Sequence, residues 1–318
     1  MTPYRVDVHH HILPPRYVAE VGTSRIGPLI VAGKTPEWSP AQSIEAMDRN
    51  GILTAVTSIS APGLWFGDAN AAADLARHCN DYAASMRQEH PGRFGMFASL
   101  PLPDIDASLK EIAYALDTLH ADGFGLLTNY GGRYPGEAAF VPIFDELDRR
   151  GAVVYFHPAA APCSTCLPEI PAATLDFPFD TTRAVTSLLY SGTFARCRNI
   201  RFIFSHAGGT VPFLAERIAR LAVRPEYKKH VPDGVIAELQ RLHYDTALSA
   251  NRSTFRSLMH LVPASQILFG SDYPFAPEST MVATVRGLAE LELGAVDLHA
   301  IERDNALCLM PMLAAQRR

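Results

Sequence analysis

The run VDVHHHILP at residues 6–14 decides the fold, because it joins an apolar strand pattern to three consecutive histidines. Three later runs have a related form: VYFHP at 154–158, FSHAGG at 204–209 and LFGSDYP at 268–274. In each of them a histidine or an aspartate follows a short apolar, β-branched or aromatic stretch. Functional side chains at the carboxyl ends of successive strands are typical of a TIM-barrel active site. The pattern therefore predicts such a barrel, with His and Asp side chains converging on a bound transition metal.

Eight strand-like runs can be counted along the chain, and most are solidly apolar, as expected for strands buried on both faces. They cover residues 4–9, 53–60, 93–100, 123–128, 152–157, 200–206, 241–247 and 266–272. Helical periodicity lies between them, at 69–89 with Asp68 as the N-cap, and at 106–121, 140–150 and 181–195. The alternation predicts a single α/β domain over residues 1–318, a (β/α)₈ TIM barrel.

Two segments interrupt this alternation. Residues 12–40, rich in Pro and Gly, are predicted to form a small insertion after strand 1, a loop or hairpin over the barrel mouth. Residues 158–178 contain five prolines and follow strand 5. A loop of this length is usually functional, so a lid or a substrate-binding loop is expected there.

Composition excludes several classes of protein. A hydrophobic content of 48% over 318 residues argues against disorder, and a net charge of −5 argues against nucleic-acid binding. No apolar run approaches the roughly 18 residues of a membrane span, and the first strand begins too early for a signal peptide. Five scattered cysteines are typical of reduced thiols, which predicts a cytoplasmic protein. Cys163 and Cys166 form one CxxC, but the absence of a second CxxC disfavours a metal or redox role.

The histidine cluster predicts a metal site. Side chains alternate along a strand, so His9 and His11 should face one way and His10 the other, toward the outer layer. His157 and Asp272 supply a third imidazole and a carboxylate at other strand ends. Three nitrogens and one carboxylate suit one divalent ion, Zn²⁺ first, with Mn²⁺, Fe²⁺ or Co²⁺ as alternatives. The alternative is a set of unrelated structural histidines, which the shared position at strand ends disfavours.

His206 differs from the four predicted ligands. It ends strand 6 and is followed by Ala207, Gly208 and Gly209, which allow a tight turn into the next helix. We predict that His206 is a catalytic residue that handles a proton on substrate or on water. Direct ligation of the metal is the alternative role.

These motifs resemble the amidohydrolase superfamily, and within it the amidohydrolase-2 branch that includes 2-amino-3-carboxymuconate-6-semialdehyde decarboxylase-like proteins. The resemblance covers nearly the whole chain. Within the branch, residues 123–158 are most similar to 6-methylsalicylate decarboxylase-like proteins. The segments that carry it are VDVHHHILP (6–14), SIEAMDRNGI (43–52), HCNDYAASMRQEHPGRF (78–94), VYFHP (154–158), FSHAGGTVPFLAERI (204–218) and LFGSDYPF (268–275).

The resemblance implies site residues and an assembly. His9, His11, His157 and Asp272 match the family's metal ligands, and His206 matches its catalytic histidine. Binuclear members bridge two metals with a carboxylated lysine at the end of strand 4, but strand 4 here ends in LTN at 127–129. A single metal ion is therefore implied. A homodimer is also implied.

The implied reaction is non-oxidative decarboxylation of a small aromatic, salicylate-type acid or a related unsaturated carboxylic acid. The metal would orient the carboxylate and a neighbouring oxygen, and either His206 or Asp272 would deliver the proton to the ring carbon. Asp272 beside a cation should be ionised, which favours His206. The alternatives are a metal-dependent hydrolase of a lactone or amide with the same site, a hydratase, and a barrel that binds without catalysis.

Candidate substrate contacts lie outside the histidine motifs or beside them. Arg183 follows the loop after strand 5, and Arg217 follows the SHAGG motif at a position where related decarboxylases contribute an arginine across a dimer interface. Either guanidinium suits a polar substrate group, and a surface salt bridge is the alternative for both. Four aromatic residues are candidate walls of a pocket, and ordinary packing is the alternative for each: Trp38, Trp65, Phe66 and Phe275.

Overall fold

The strands form one parallel barrel. The computed structural model describes residues 4–163 and 167–315. Strand neighbours follow chain order from first to last, and each paired strand is parallel to its neighbour. All eight strands overlap the predicted runs, which confirms the (β/α)₈ barrel. They are β1 (Arg5–His11), β2 (Ile52–Ser58), β3 (Phe94–Ser99), β4 (Gly123–Leu127), β5 (Val153–His157), β6 (Arg201–Phe204), β7 (His243–Asp245) and β8 (Ile267–Leu268).

Backbone hydrogen bonds between β1 and the segment after β8 close the barrel. The Val8 amide donates to the Phe269 carbonyl at 2.9 Å, and the Asp272 amide donates to the His9 carbonyl at 2.8 Å. β8 is shorter than the predicted run because the chain bends there, and Asp272 adopts a left-handed φ of 65°. Closure removes the exposed sheet edge and brings Asp272 beside the histidines of β1.

Helices surround the barrel between successive strands. The Asp68 side chain accepts from the Ala71 amide at 3.0 Å, so the predicted N-cap is confirmed. The helices are α1 (Pro15–Val21), α2 (Thr23–Ile26), α3 (Pro40–Arg49), α4 (Ala69–Glu89), α5 (Ile105–Asp117), α6 (Val141–Arg149), α7 (Asp176–Tyr190), α8 (Thr193–Arg196), α9 (Val211–Ala219), α10 (Pro225–Lys228), α11 (Val235–Gln240), α12 (Arg252–Leu261), α13 (Glu278–Glu290), α14 (Ala295–His299), α15 (Asn305–Leu309) and α16 (Met312–Ala315).

Two boundaries differ from the prediction. The insertion after β1 is helical, so the predicted hairpin is wrong: Pro15 lies in the first turn of α1, where proline is favoured, and Gly22 separates α1 from α2. The helix predicted at 181–195 begins earlier, at Asp176, which shortens the loop after β5. It ends at Tyr190, because Gly192 takes a left-handed φ of 79° before α8.

Two apolar clusters hold the barrel together. The larger lies between strands and helices, and the smaller includes Val6, Val8, Phe97 and Tyr155. Leu309 of α15 packs into the smaller cluster, so the C-terminal helices support the same packing as the strands. Among the described residues, no helix has both the length and the apolar composition needed to cross a membrane.

Candidate metal centre

The four predicted ligands come together at the carboxyl ends of the strands. One donor atom from each of His9, His11, His157 and Asp272 lies within 4.8 Å of the others, and all four residues are buried. The Nε2 atoms of His9 and His11 are 3.0 Å apart. Asp272 Oδ1 lies 3.0 Å from His9 Nε2, 3.1 Å from His11 Nε2 and 3.9 Å from His157 Nε2. The geometry is that of a single small site.

An irregularity in β1 turns both of its predicted ligand histidines into the barrel. The pairing of β1 with β2 shifts register between positions 7 and 10. Val8 packs in the smaller cluster, and the shift allows the next residue, His9, to face inward as well. His10 faces outward, with its Nε2 atom 2.9 Å from Ser43 Oγ on α3. The predicted split between His10 and its two neighbours His9 and His11 is therefore seen in the geometry.

Hydrogen bonds to the Nδ1 atoms of His9 and His11 direct the lone pairs of their Nε2 atoms toward one point. His9 Nδ1 lies 2.8 Å from Asp245 Oδ2, and a carboxylate accepts, so the proton belongs on Nδ1. His11 Nδ1 faces the Ser58 carbonyl at 3.4 Å and Ser58 Oγ at 3.1 Å. Both Nε2 lone pairs then meet the Asp272 oxygen at about 3 Å, which is repulsive unless a cation lies between them. A buried His-His-His-Asp cluster of this kind fits a single metal ion.

The carboxylates around His9 also favour a positive charge on its ring. Burial opposes a charge on His9, but Asp245 and Asp272 outweigh it and raise the pKa of His9 to about 10. Burial lowers the pKa of His11 to about 4 and that of His157 to about 3. Burial would raise the pKa of Asp272, but His9 and the other histidines hold it well below its usual value. Metal binding at His9 would therefore release a proton.

Asp245 on β7 is a functional candidate that the sequence analysis missed. Its carboxylate is fully buried and accepts from His9 Nδ1, from the His206 amide at 2.8 Å and from the Ala247 amide at 3.0 Å. The pKa of Asp245 is lowered, because His9 and these hydrogen bonds overcome burial. Asp245 therefore orients one ligand and the His206 backbone together. The one signal available was an acidic residue at the end of a predicted strand.

His206 lies beside the cluster and outside the four-residue set. Its Nε2 atom is 3.6 Å from Asp272 Oδ2, and its ring centre is 4.9 Å from that of His9. His206 has a left-handed φ of 53°, a strained conformation that is common at functional sites. Gly209 permits the turn, because a Cβ there would lie 2.0 Å from the Pro178 carbonyl oxygen. The structure places the predicted catalytic histidine within reach of whatever binds at the cluster.

Of the three predicted substrate contacts, one lies at the cluster and two are exposed. The Phe275 ring lies 5.2 Å from the His11 ring, edge to face, and so borders the centre. Arg183 on α7 pairs with Asp180 at 3.6 Å, and its side chain is 42% exposed. Arg217 is exposed on α9, and the described residues include no ion pair for it. The structure thus brings Phe275 to the site and leaves both arginines in contact with solvent.

The remaining aromatic candidates and the cysteine pair lie in different surroundings. Trp65 lines a cavity at the barrel mouth, whereas Trp38 donates to Ser43 Oγ at 2.8 Å and packs near Tyr82. Phe66 is 43% exposed. Cys163 is a free, exposed thiol; the second cysteine of the CxxC, at position 166, lies outside the described residues.

Comparison with known proteins places the chain among enzymes of one family. Decarboxylase yanB of Aspergillus niger is 39% identical over 96% of this chain and 87% of its own length. The 6-methylsalicylic acid decarboxylase acuB of Aspergillus aculeatus is 38% identical, covering 97% of this chain and 96% of its own. A crystal structure of an amidohydrolase II has 30% identity and a TM-score of 0.89, covering 96% of this chain and 99% of that one.

The family model described as amidohydrolase matches residues 6–310, which include every residue of the cluster and His206. The match begins within β1 and ends just after α15, so it spans the complete barrel. With the fold and the donor set already consistent with this assignment, we conclude that the chain belongs to the amidohydrolase family.

Proposed function

We propose that this protein is a metal-dependent decarboxylase of a small aromatic acid of the salicylate type, or of a related unsaturated carboxylic acid. The observation that carries the proposal is the buried His-His-His-Asp cluster with His206 at its edge. Support comes from the similar proteins, two of which are named decarboxylases, one of them for 6-methylsalicylic acid. We further propose that residues 1–318 act as a single domain in the cytoplasm.

His9, His11, His157 and Asp272 would hold one divalent ion. Three imidazole nitrogens and a carboxylate oxygen favour Zn²⁺, and Mn²⁺, Fe²⁺ and Co²⁺ accept the same donors. When bound, the ion supplies positive charge that binds and polarises the carboxylate and the ortho oxygen of the acid. Metal analysis of the purified protein identifies the ion.

His206 is proposed to supply the proton. Protonation of the ring carbon that carries the carboxylate breaks aromaticity, and loss of CO₂ returns the bonding electrons to the ring and restores it. The low pKa of Asp272 makes that carboxylate a poor holder of the proton, which leaves the imidazole of His206 as the candidate proton donor. Asp245 fixes the His206 backbone through its amide at 2.8 Å, which keeps the imidazole at the edge of the site.

Phe275 and Arg217 have proposed supporting roles. The Phe275 ring, 5.2 Å from the His11 ring, offers an apolar face to the aromatic ring of the substrate. On α9, Phe213 is 83% exposed and precedes exposed Arg217 by one helical turn. An exposed aromatic beside a guanidinium that has no ion pair among the described residues suits a protein interface, so we propose a homodimer in which Arg217 contacts the partner's substrate. Arg183 on α7 remains a second proposed contact.

The test is release of CO₂ from a panel of ortho-hydroxybenzoates by metal-loaded protein, followed together with the ultraviolet change of the ring. Turnover that disappears in His206→Ala and in Asp272→Ala is the expected result. Hydrolysis of a lactone or amide panel without any CO₂ release would instead assign the site to a hydrolase. The mass of the protein in solution tests the dimer separately.

A further inference from the structure

A cavity of about 480 Å³ opens at the barrel mouth. It lies between the segments that follow β2, β4 and β5, and Arg25 and Leu29 of the inserted segment contribute to its wall. None of the four cluster residues lines it. Its walls include Leu29, Pro62, Leu64, Trp65, Leu127 and Tyr130.

The cavity begins beside one of the metal-ligand candidates. Leu127 at the end of β4 pairs directly with His157 of β5, and directly paired residues of neighbouring strands project from the same face of the sheet. On the other side, Ser60 Oγ lies 3.4 Å from both ring nitrogens of His157. Pro62 of the cavity wall follows Ser60 by two residues. A ring held at the cluster can therefore extend a substituent into the cavity.

The uncharged polar side chains of the wall already take part in hydrogen bonds within the protein. Asn129 Nδ2 donates to Asp180 Oδ2 at 2.7 Å, and Asn129 Oδ1 accepts from the Gly132 amide at 3.0 Å. The Tyr130 hydroxyl accepts from the Leu127 amide at 3.0 Å. These groups are positioned to hold the loops rather than to bind a polar substituent, so the surface offered to a ligand is mainly apolar.

The charged residue of the wall is Arg25, and it lies at the rim. Its guanidinium is 4.9 Å from the centre of the Phe66 ring, and the side chain is exposed. The described residues provide no carboxylate partner for Arg25. A cation at the rim attracts an anionic acid toward the barrel mouth, and the apolar walls suit an apolar substituent on that acid.

The size of the cavity sets the length of the apolar end. A volume of about 480 Å³ lies within the range of pockets that enclose drug-sized ligands, roughly 300–1,000 Å³. A benzoic acid that carries only a hydroxyl and a methyl group is smaller than such a ligand, and its carboxylate and hydroxyl are taken up at the cluster. A methyl group alone therefore leaves most of the cavity unfilled.

We propose that this cavity binds an alkyl chain of several carbons on the substrate ring, and that Leu64, Trp65 and Leu127 determine the preferred length. The inference rests on the proposed decarboxylase function and narrows its substrate class to alkyl-substituted ortho-hydroxybenzoates. Each methylene transferred from water to an apolar wall should tighten binding about fourfold. A ring substituent that carries a positive charge should bind poorly, because the cavity is mainly apolar and has Arg25 at its rim.

Trp65 provides a direct readout, because the chain has two tryptophans and Trp38→Phe leaves Trp65 as the only one. The ligands are 3-methylphenol, 3-propylphenol and 3-pentylphenol, the products expected from the matching acids, titrated into metal-loaded protein. The proposal predicts a change in Trp65 fluorescence and a Kd that falls about 16-fold from methyl to propyl. A Kd independent of chain length, or an unresponsive Trp65, would overturn it.

Variants separate the cavity from general hydrophobic binding. In the same background, Leu64→Asn should flatten the dependence of Kd on chain length, while Val282→Asn on the exposed face of α13 should preserve it. If Leu64→Asn does not fold, Leu29→Asn on another part of the wall takes its place. A dependence that survives in the folded wall variant overturns the proposal. Because this titration needs no turnover, a protein that releases CO₂ but shows no length dependence refutes the cavity assignment alone.

Discussion

Asp245→Asn is expected to weaken metal binding by about 10–100-fold while the barrel stays folded. The fully buried carboxylate accepts four hydrogen bonds. Through Oδ1 it serves the His206 and Ala247 amides at 2.8 and 3.0 Å, and through Oδ2 it serves His9 Nδ1 at 2.8 Å and the Tyr155 hydroxyl at 3.3 Å. Asparagine can keep the first two bonds with its carbonyl oxygen, so the backbone arrangement should survive.

The loss of metal affinity arises at His9. The new amide group of residue 245 donates, so it faces the Nδ1 proton of His9 with another donor. His9 can accept a hydrogen bond from this amide if its proton moves from Nδ1 to Nε2, the atom 3.0 Å from Asp272 Oδ1. A protonated nitrogen cannot bind a metal. A hydrogen bond to a charged group contributes about 1.5–3 kcal/mol. At about 1.4 kcal/mol per tenfold, its loss corresponds to the expected change in metal affinity.

The assay is competition for the metal between the protein and a chromophoric chelator, with the melting temperature of the metal-free protein as the test of folding. Asp7→Asn is the matched control, because Oδ1 of the buried Asp7 accepts from the His9 and Ser271 amides, both at 3.0 Å, and an asparagine oxygen can keep both bonds. Its Oδ2 faces Ser271 Oγ at 2.6 Å and His10 Nδ1 at 3.1 Å, and no ring nitrogen of a predicted ligand. Asp7→Asn should lower stability and leave metal affinity near that of the unsubstituted protein. A folded Asp245→Asn protein that binds metal as tightly as the unsubstituted one would refute the reasoning.

Three further predictions concern other parts of the molecule. His206→Asn should lower kcat by about 10²–10⁴ with metal content unchanged, and loss of metal in this variant would make His206 a ligand. Arg25→Gln should lower kcat/KM for an anionic acid at low salt, with the difference shrinking at high salt; Arg286→Gln, exposed on α13, should have no effect, and a salt-independent defect would contradict the steering role. Burial lowers the pKa of His243 to about 4, so this group stabilises the fold above its unfolded pKa near 6.5 and the contribution is lost as pH falls toward 4. Urea unfolding at pH 7 and at pH 4.5 gives the loss of unfolding free energy between these two pH values, and His243→Gln should reduce this loss by up to about 3 kcal/mol. An unchanged loss would contradict burial of His243 as its source.

The strand-end motifs made the barrel and the cluster predictable. His9 and His11 share a face because strand side chains alternate, and His157 and Asp272 end apolar runs that can only be buried strands in this alternation. In a closed barrel the carboxyl ends of all strands meet at one rim, so sequence-distant residues converge. The one local feature that the pattern could not give is the register shift in β1, which depends on pairing with β2.

Other parts of the site depend on distances that only the closed barrel sets. Asp245 acts through contacts to β1 and to the segment after β6, and nothing in its own strand indicates either. The inserted segment carried no distinct periodicity, so its helices were not predicted, and neither was the position of Arg25 at the cavity rim. The cavity itself is assembled from several loops and has no sequence signature.

The most direct test of a single-metal decarboxylase is to strip the protein of metal and restore it stepwise while measuring CO₂ release from an ortho-hydroxybenzoate. Three histidines and one aspartate form one site, so activity should be absent without metal and should rise linearly to a break at one ion per chain. Full activity in the stripped protein, or a break at two ions per chain, would contradict the account.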